Sequence, residues 1–307
     1  MFVSMIEKGE QRMEYMTIKP FIKWAGGKSQ LLDEIRKKYP PKIERYCEPF
    51  VGGGAVMLDV LANCKPREVM INDINKELVN TYKQVQRNID ELIAVLEVLQ
   101  EKFWKANNEE RKIIYTSERN RFNELKFAAN NDNDVELAAL FIFLNKTCFN
   151  GLYRVNRDGL FNVPIGSYKF PPICDSENLR TISKLMKNVI IHCGNYSECY
   201  DFIDSQTFVY IDPPYRPLTV TSSFTSYSEN KFGDNEQIEL GKFVDKVSSK
   251  GATIVLSNSD PKNVDDKDEF FDDLYGKYNI QRVSAKRRIN SKGDKRNNVN
   301  ELLISNF

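Results

Sequence analysis

Asp212-Pro213-Pro214-Tyr215 ends the apolar run Phe208-Val209-Tyr210-Ile211 with a carboxylate, two prolines and an aromatic ring. The prolines fix φ and remove two backbone N–H groups, so the carbonyls between Asp212 and Tyr215 stand in a rigid turn as acceptors. A carboxylate beside such a carbonyl suits a planar exocyclic amine. That amine has its lone pair delocalised into the ring and is a poor nucleophile. Drawing its hydrogens toward Asp212 and the Pro213 carbonyl frees the lone pair for in-line attack on an activated methyl. Tyr215 is placed to stack on the base, and an amine tied up in a duplex must first leave it, so base flipping is implied. Taken alone, the same four residues also describe a strand-ending turn with a buried tyrosine.

A second feature weighs against that plainer reading. Tyr46-Cys47-Glu48-Pro49-Phe50-Val51-Gly52-Gly53-Gly54-Ala55 is a strand running into a glycine turn, where missing side chains let a ligand approach the backbone. The dinucleotide fingerprint fails because its third glycine would fall at Met57, whereas Phe50-x-Gly52-x-Gly54 resembles a methyltransferase cofactor loop. Asp73, ending the next strand pattern, can accept hydrogen bonds from ribose hydroxyls, or else caps the following helix. Gly26-Gly27-Lys28-Ser29 is like the tail of a phosphate-binding loop, but Ile22 stands where that loop needs its first glycine. Trp24 and Lys28 bracket the glycine pair, and an aromatic beside a cation suits a ligand with an adenine ring and a carboxylate. A core tryptophan and a surface lysine are the alternative.

The elements that must position these residues follow from apolar periodicity. Strands are expected at 46–49, 68–72, 189–193, 207–211, 252–257, 280–286 and 301–305, with helices from about 29 to 38 and from 76 to 87. From about Ile89 to Phe149 the pattern is helical throughout, broken near Asn107-Asn108 and from Asn130 to Asp134. Strands alternating with helices on both sides of a helical block predict a doubly wound α/β fold. The expected domains are a leader over 1–18, a catalytic domain over 19–87 and 186–307, and an inserted, mainly helical domain over 88–185.

The chain has 307 residues and a net charge of +1, enough for one core and an inserted subdomain. That balance hides a basic run, Lys277 to Asn300, with eight Lys or Arg against Asp294 alone. A polyphosphate partner needs such a face, although many such runs are simply solvated surface. Six cysteines without a Cys-x-x-Cys pair, and a single histidine, argue against a zinc site and lead us to expect no metal. His192, inside Val189-Ile190-Ile191-His192-Cys193, is expected to be structural, which disfavours triad chemistry. No secretory or membrane-spanning run is visible, and a cytosolic protein with reduced thiols is expected.

With Trp24-Ala25-Gly26-Gly27-Lys28, Glu48-Pro49-Phe50-Val51-Gly52-Gly53-Gly54 and Asp212-Pro213-Pro214-Tyr215 in this order, the chain resembles the DNA adenine methyltransferase (Dam) family, including modification enzymes of GATC restriction systems. The resemblance runs from about Lys19 to Asn306. It implies a Rossmann-like S-adenosylmethionine-dependent methyltransferase sheet with an inserted, mainly helical target recognition domain. It also implies S-adenosylmethionine as cofactor, S-adenosylhomocysteine as product, and double-stranded DNA as partner. A nucleoid-associated protein of a bacterium or phage, monomeric by default, is the matching expectation. By the family pattern Trp24, Lys28, Phe50, Gly52, Asp73, Asn195, Tyr196 and Asp212 contact the cofactor.

Phe149-Asn150-Gly151-Leu152-Tyr153-Arg154-Val155-Asn156 followed by Phe161-Asn162-Val163-Pro164-Ile165-Gly166-Ser167-Tyr168 resembles the family's GATC-reading hairpin. The resemblance makes Arg154 a reader of guanine, Pro164 an apolar contact to a thymine methyl and Phe149 a wedge in the base stack. It places Lys23 on an outer guanine, with Asn150, Leu152 and Tyr168 also facing DNA. Ordinary hairpin packing is the alternative. Ser167 departs from the pattern where a basic residue is common. Thr219 to Tyr227 resembles the loop that closes over the flipped base, and Lys286 to Arg296 a phosphate-facing hairpin. A Pro-Pro-Tyr turn would also serve cytosine N4 or an RNA amine. Asp212 in place of serine favours adenine, and a major-groove arginine suits B-form DNA better than the deep groove of RNA. A DNA-binding protein that had lost catalysis would be expected to lose Asp212 or the glycine turn; both are present.

Overall fold

A computed structural model describes residues 15–128, 134–216, 232–286 and 298–307. Seven strands among them form one sheet: β1 (Arg45–Glu48), β2 (Glu68–Asp73), β3 (Ile190–Cys193), β4 (Thr207–Ile211), β5 (Thr253–Ser259), β6 (Asn279–Lys286) and β7 (Asn298–Ser305). Their order is β3-β2-β1-β4-β5-β7-β6, with β7 antiparallel to both neighbours and the other pairs parallel. Strand order reverses between β1 and β4, so their C-terminal ends open the crevice where open α/β sheets bind ligands. The glycine turn follows β1 and Asp212 follows β4. β4 is buried along its whole length, as the uninterrupted apolar run requires of a central parallel strand.

Between β1 and β2 lies α2 (Ala55–Asn63), and after β2 comes α3 (Lys76–Arg87), opened by Asn75, whose side chain accepts from the Leu78 N–H at 2.8 Å. The short α1 (Leu32–Arg36) is preceded by a 3-10 turn at Lys28–Gln30, so the helix expected from 29 to 38 is tighter and broken. The N-terminal stretch is anchored earlier than the expected leader boundary: Asn63 holds the Met16 backbone from both sides, and Arg36 lies over the Tyr15 ring.

The helical block consists of α4 (Ile89–Lys105), α5 (Asn108–Leu125) and α6 (Asp134–Thr147). Asn107 and Glu110 form a capping box that starts α5 where the sequence breaks. In α6, Ala138 to Asn145 is buried without interruption, because α3, α4 and α5 pack around it. One apolar cluster therefore runs from the sheet through α3 into the helical block. Next, α7 (Ser176–Leu185) packs on α2, α3 and α4. Among the described residues the remaining α-helices are α8 (Asp234–Ser249), between β4 and β5, and α9 (Phe270–Leu274), before β6. All six cysteines are free thiols. His192 lies on the edge strand β3, its Nε2 2.8 Å from Glu198 Oε2, a structural pairing of the kind expected.

Candidate active site

The end of β4 places Asp212 beside β1 on one side and β5 on the other. Its Oδ1 is fastened twice, by Lys28 Nζ at 2.7 Å and by the Ser257 hydroxyl, which donates at 3.0 Å. The Tyr210 hydroxyl lies 3.0 Å from Ser257 Oγ and completes the chain beneath it. Among the described residues nothing donates to Oδ2 or to the Pro213 carbonyl. The Pro214 carbonyl, by contrast, accepts from Gln237 Nε2 at 3.0 Å, and Asn258 holds Gln237 in turn. The turn is thus locked, and among the described residues its two adjacent acceptors, Asp212 Oδ2 and the Pro213 carbonyl, receive no donor. Burial pushes the Asp212 carboxyl above the usual carboxylate range, and Lys28 and Ser257 pull it back.

Lys28 is 3% exposed and serves several partners at once. Its ammonium donates to the Gly26 carbonyl at 2.6 Å, lies 4.9 Å from the Tyr215 ring centroid and stands 4.0 Å from Glu301 Oε2. The Tyr215 hydroxyl donates to that same Glu301 oxygen at 2.7 Å. Glu48 is buried behind this group and takes a hydrogen bond from the Tyr46 hydroxyl at 2.6 Å; burial holds its carboxyl well above the ordinary range. Lys28 and Trp24 bracket the glycine pair and diverge from it: Lys28 meets the Asp212-Pro213-Pro214-Tyr215 turn, and Trp24 packs over the glycine turn.

Gly52 and Gly54 both have positive φ, at 46° and 71°. A Cβ on Gly52 would fall 2.7 Å from Trp24 Cδ1, and one on Gly54 would fall 2.5 Å from the Tyr82 hydroxyl, so neither position admits a side chain. That hydroxyl also donates to the Gly52 carbonyl at 2.9 Å. Asp73 closes the turn: it accepts from the Gly52 N–H at 3.1 Å and the Asn75 N–H at 2.9 Å. Asn75, not Asp73, caps α3, which removes the alternative reading of Asp73. Burial raises the Asp73 carboxyl, and the backbone N–H groups oppose the shift. Phe50, after β1, and Tyr196, after β3, stack at 5.2 Å. Asn195 caps the 3-10 turn that begins at Tyr196, accepting from the Ser197 N–H at 2.9 Å.

The segment expected to read DNA follows α6. Phe149 and Asn150 are exposed, the latter at φ 56°, and Leu152 is half-buried against the helical core. Instead of a regular hairpin ladder, two isolated antiparallel bridges join Cys148 to Ile165 and Val155 to Phe161. The loop is held from behind: Tyr115 donates to the Val163 carbonyl at 2.7 Å, Asn123 clasps the Phe161 backbone, and Lys126 donates to the Gly159 carbonyl at 2.8 Å. Arg154 is exposed, with its Nε on Asn162 Oδ1 at 2.8 Å. Pro164 is exposed and its carbonyl accepts from the Phe149 N–H at 2.8 Å. Lys23 reaches this face, its Nζ 4.5 Å from the Tyr168 ring centroid, while Asn145 grips the Lys23 backbone on both sides. Thr219 to Tyr227 lies outside the described residues, as does the basic run beyond Lys286.

Sequence reasoning missed Ser257, Gln237 and Glu301. The first two are polar residues buried on β5 and α8; Ser257 stands out after Ile254-Val255-Leu256, which could have been the signal.

A mostly parallel sheet with a reversed C-terminal strand pair, a glycine turn after β1 and a carboxylate after β2 defines a Rossmann-like methyltransferase fold. Residues 24–289 match the family described as D12 class N6 adenine-specific DNA methyltransferase, and the chain belongs to that family. It is 49% identical to the type II methyltransferase M.MjaIII of Methanocaldococcus jannaschii, over 95% of this chain and all of that one. It is 35% identical to the type II methyltransferase M1.LlaDCHI of Lactococcus lactis, over 95% of this chain and 96% of that one. The DNA adenine methylase of Haemophilus influenzae is 34% identical over 93% of this chain and 92% of its own length. The family implies a DNA substrate. Among the described residues no helix is long and apolar enough to cross a membrane.

Proposed function

We propose that the protein transfers a methyl group from S-adenosylmethionine to N6 of an adenine flipped out of duplex DNA, and that its target is GATC. The observation that carries the chemistry is the state of Asp212. One oxygen is anchored by Lys28 and Ser257, which leaves Oδ2 and the Pro213 carbonyl as paired acceptors for an amino group. Tyr215 supplies the ring on which the base stacks.

The residues around the glycine turn fit the cofactor. Gly52 and Gly54 admit no side chain, Asp73 is a fixed carboxylate suited to a ribose diol, and Trp24, Phe50, Asn195 and Tyr196 border the same turn. When bound, S-adenosylmethionine supplies an electrophilic sulfonium methyl. The protein's part is to hold the amine, withdraw its hydrogens and exclude water. In this reading Lys28 orients Asp212. Residues 88–185 form the target recognition domain. The exposed residues Lys23, Phe149, Asn150, Arg154 and Pro164 face the DNA with Leu152 and Tyr168, and Arg154 reads guanine. The organisation is monomeric.

Tritiated S-adenosylmethionine offered with duplexes that contain or lack GATC tests the reading. Label is expected in N6-methyladenine, only in the GATC duplex, and absent with Asp212→Ala. Equal labelling by Asp212→Ala would overturn the mechanism. Labelling independent of GATC would overturn the target, and label in cytosine or RNA would move the activity to another amine.

A further inference from the structure

Tyr215 must present its ring at one angle, yet a tyrosine after two prolines has no neighbour in the turn to fix it. The fixing group comes from β7, two strands away from β4 in the sheet. Glu301 lies on β7, paired on one side with Ser259 of β5 and on the other with Val283 of β6. Its backbone is held from both flanks, as no residue of an edge strand or loop would be. The side chain is 19% exposed and places Oε2 2.7 Å from the Tyr215 hydroxyl and 4.0 Å from Lys28 Nζ. Tyr215 is therefore tied at its Cα by the proline turn and at its far end by a carboxylate, and Lys28 stands near its face, 4.9 Å from the ring centroid.

We propose that Glu301 is a positioning residue for the base: by accepting from the Tyr215 hydroxyl it sets the plane on which the target adenine stacks. The inference rests on the reading of Tyr215 as the stacking ring. Its chemistry is simple. A ring tethered at both ends loses its tilt freedom before the base arrives, so less ordering is left for the reactive complex. A carboxylate is a stronger acceptor for this half-buried hydroxyl than a neutral group would be. Lys28 Nζ stands 2.7 Å from Asp212 Oδ1 and 4.0 Å from Glu301 Oε2, so one ammonium offsets both carboxylates, the nearer being Asp212.

A double-mutant cycle between Glu301→Ala and Tyr215→Phe tests this. The probes are a GATC duplex for single-turnover methyl transfer and the same duplex with 2-aminopurine at the target adenine for base stacking. In the wild-type background Glu301→Ala is expected to lower the single-turnover rate about tenfold and to raise the emission of the flipped 2-aminopurine, while KM for the cofactor stays within about twofold. Glu301→Gln, which keeps an acceptor, is expected to restore most of the rate. In the Tyr215→Phe background Glu301→Ala is expected to have no further effect. Equal losses in the two backgrounds would overturn the proposal, because Glu301 would then act through Lys28 or through folding. An unchanged rate or an unchanged emission would overturn it as well. If Glu301→Ala does not fold, the cycle is run with Glu301→Leu and judged by the same criteria. Failure of wild type to label the GATC duplex would strike the functional reading instead, since the cycle is interpreted only from the wild-type signal.

Discussion

Replacing Lys28 with methionine keeps the length and volume of the side chain and removes its charge, which isolates what the ammonium does. In the folded protein Lys28 is the principal cation facing Asp212, and Glu48 and Glu301 draw on it as well. Removing one partner of a buried pair costs about 3–5 kcal/mol. Because Asp212 keeps 20% of its side-chain surface in solvent, the lower end of that range, about 3 kcal/mol, is the expected loss. Its pH dependence carries the information. Burial already raises the Asp212 carboxyl above its unfolded value, and without Lys28 it rises further. A raised carboxyl pKa penalises the ionised native state, so the penalty is full above the folded pKa and is relieved as pH falls through it. Urea unfolding of Lys28→Met should therefore show a larger loss at pH 8 than at pH 5.5. The acid limb of single-turnover methyl transfer should move upward, because protonated Asp212 no longer accepts from the amine. A stability loss equal at both pH values, or an unmoved acid limb, would refute the assignment of Lys28 to Asp212.

Gly52→Ala forces a side chain into a φ of 46° and against Trp24, a strain of about 1–2 kcal/mol; calorimetry should show cofactor affinity about tenfold weaker, with DNA affinity little changed. Arg154→Ala removes an exposed side chain whose described bonds go only to Asn162, so thermal stability should stay within about 0.5 kcal/mol. If Arg154 reads guanine as proposed, discrimination between GATC and a duplex altered at that guanine should fall by about 1–3 kcal/mol, measured as kcat/KM ratios. Lys146, in the last turn of α6, has its pKa pushed down to about 8 by burial and by Lys23, against the pull of Asp175. A lysine whose folded pKa is lowered penalises the native state fully below that pKa, and the penalty is relieved as pH rises through it, so urea unfolding should show stability gained between pH 7 and 9 that Lys146→Met lacks.

Where apolar periodicity was strong, the elements were legible. β4 and α3 begin and end where the pattern placed them, and the breaks at Asn107 and before Asp134 separate the three helices. The apolar pattern of β7 starts at Glu301, yet the strand begins at Asn298, because a polar start carries no alternation to detect. The helix after Lys28 is shorter than its pattern because its first turn is pulled into 3-10 geometry. Asp212, Tyr215 and Gly52 stand out in the sequence because each sits in a contiguous motif, and Asp73 because it ends a strand pattern. Ser257, Gln237 and Glu301 do not, because each meets its partner from another strand or helix. Sheet order, which brings β5 and β7 beside β4, is a property of three-dimensional packing that local pattern does not encode.

The stretch from Phe21 to Lys28 shows why the parts must work together. Lys23 is clasped by Asn145 of α6 and approaches Tyr168 on the proposed DNA-reading face. Trp24, the next residue, packs over Gly52 and Gly53 of the glycine turn and stacks on Tyr153 at 6.0 Å. A tight turn, closed by the Gly27 N–H on the Trp24 carbonyl, then delivers Lys28 to Asp212. The glycine turn, the Asp212 turn and the proposed recognition face thus share one short run of backbone. A displacement of Trp24 at the glycine turn is passed to its neighbours on both sides, because packed groups of this kind move together rather than independently. On this argument Gly52→Ala should disturb Asp212 through Lys28 as well as the cofactor. The acid limb of its pH profile should then move in the same direction as that of Lys28→Met, and a profile identical to wild type would show that the three sites are merely adjacent.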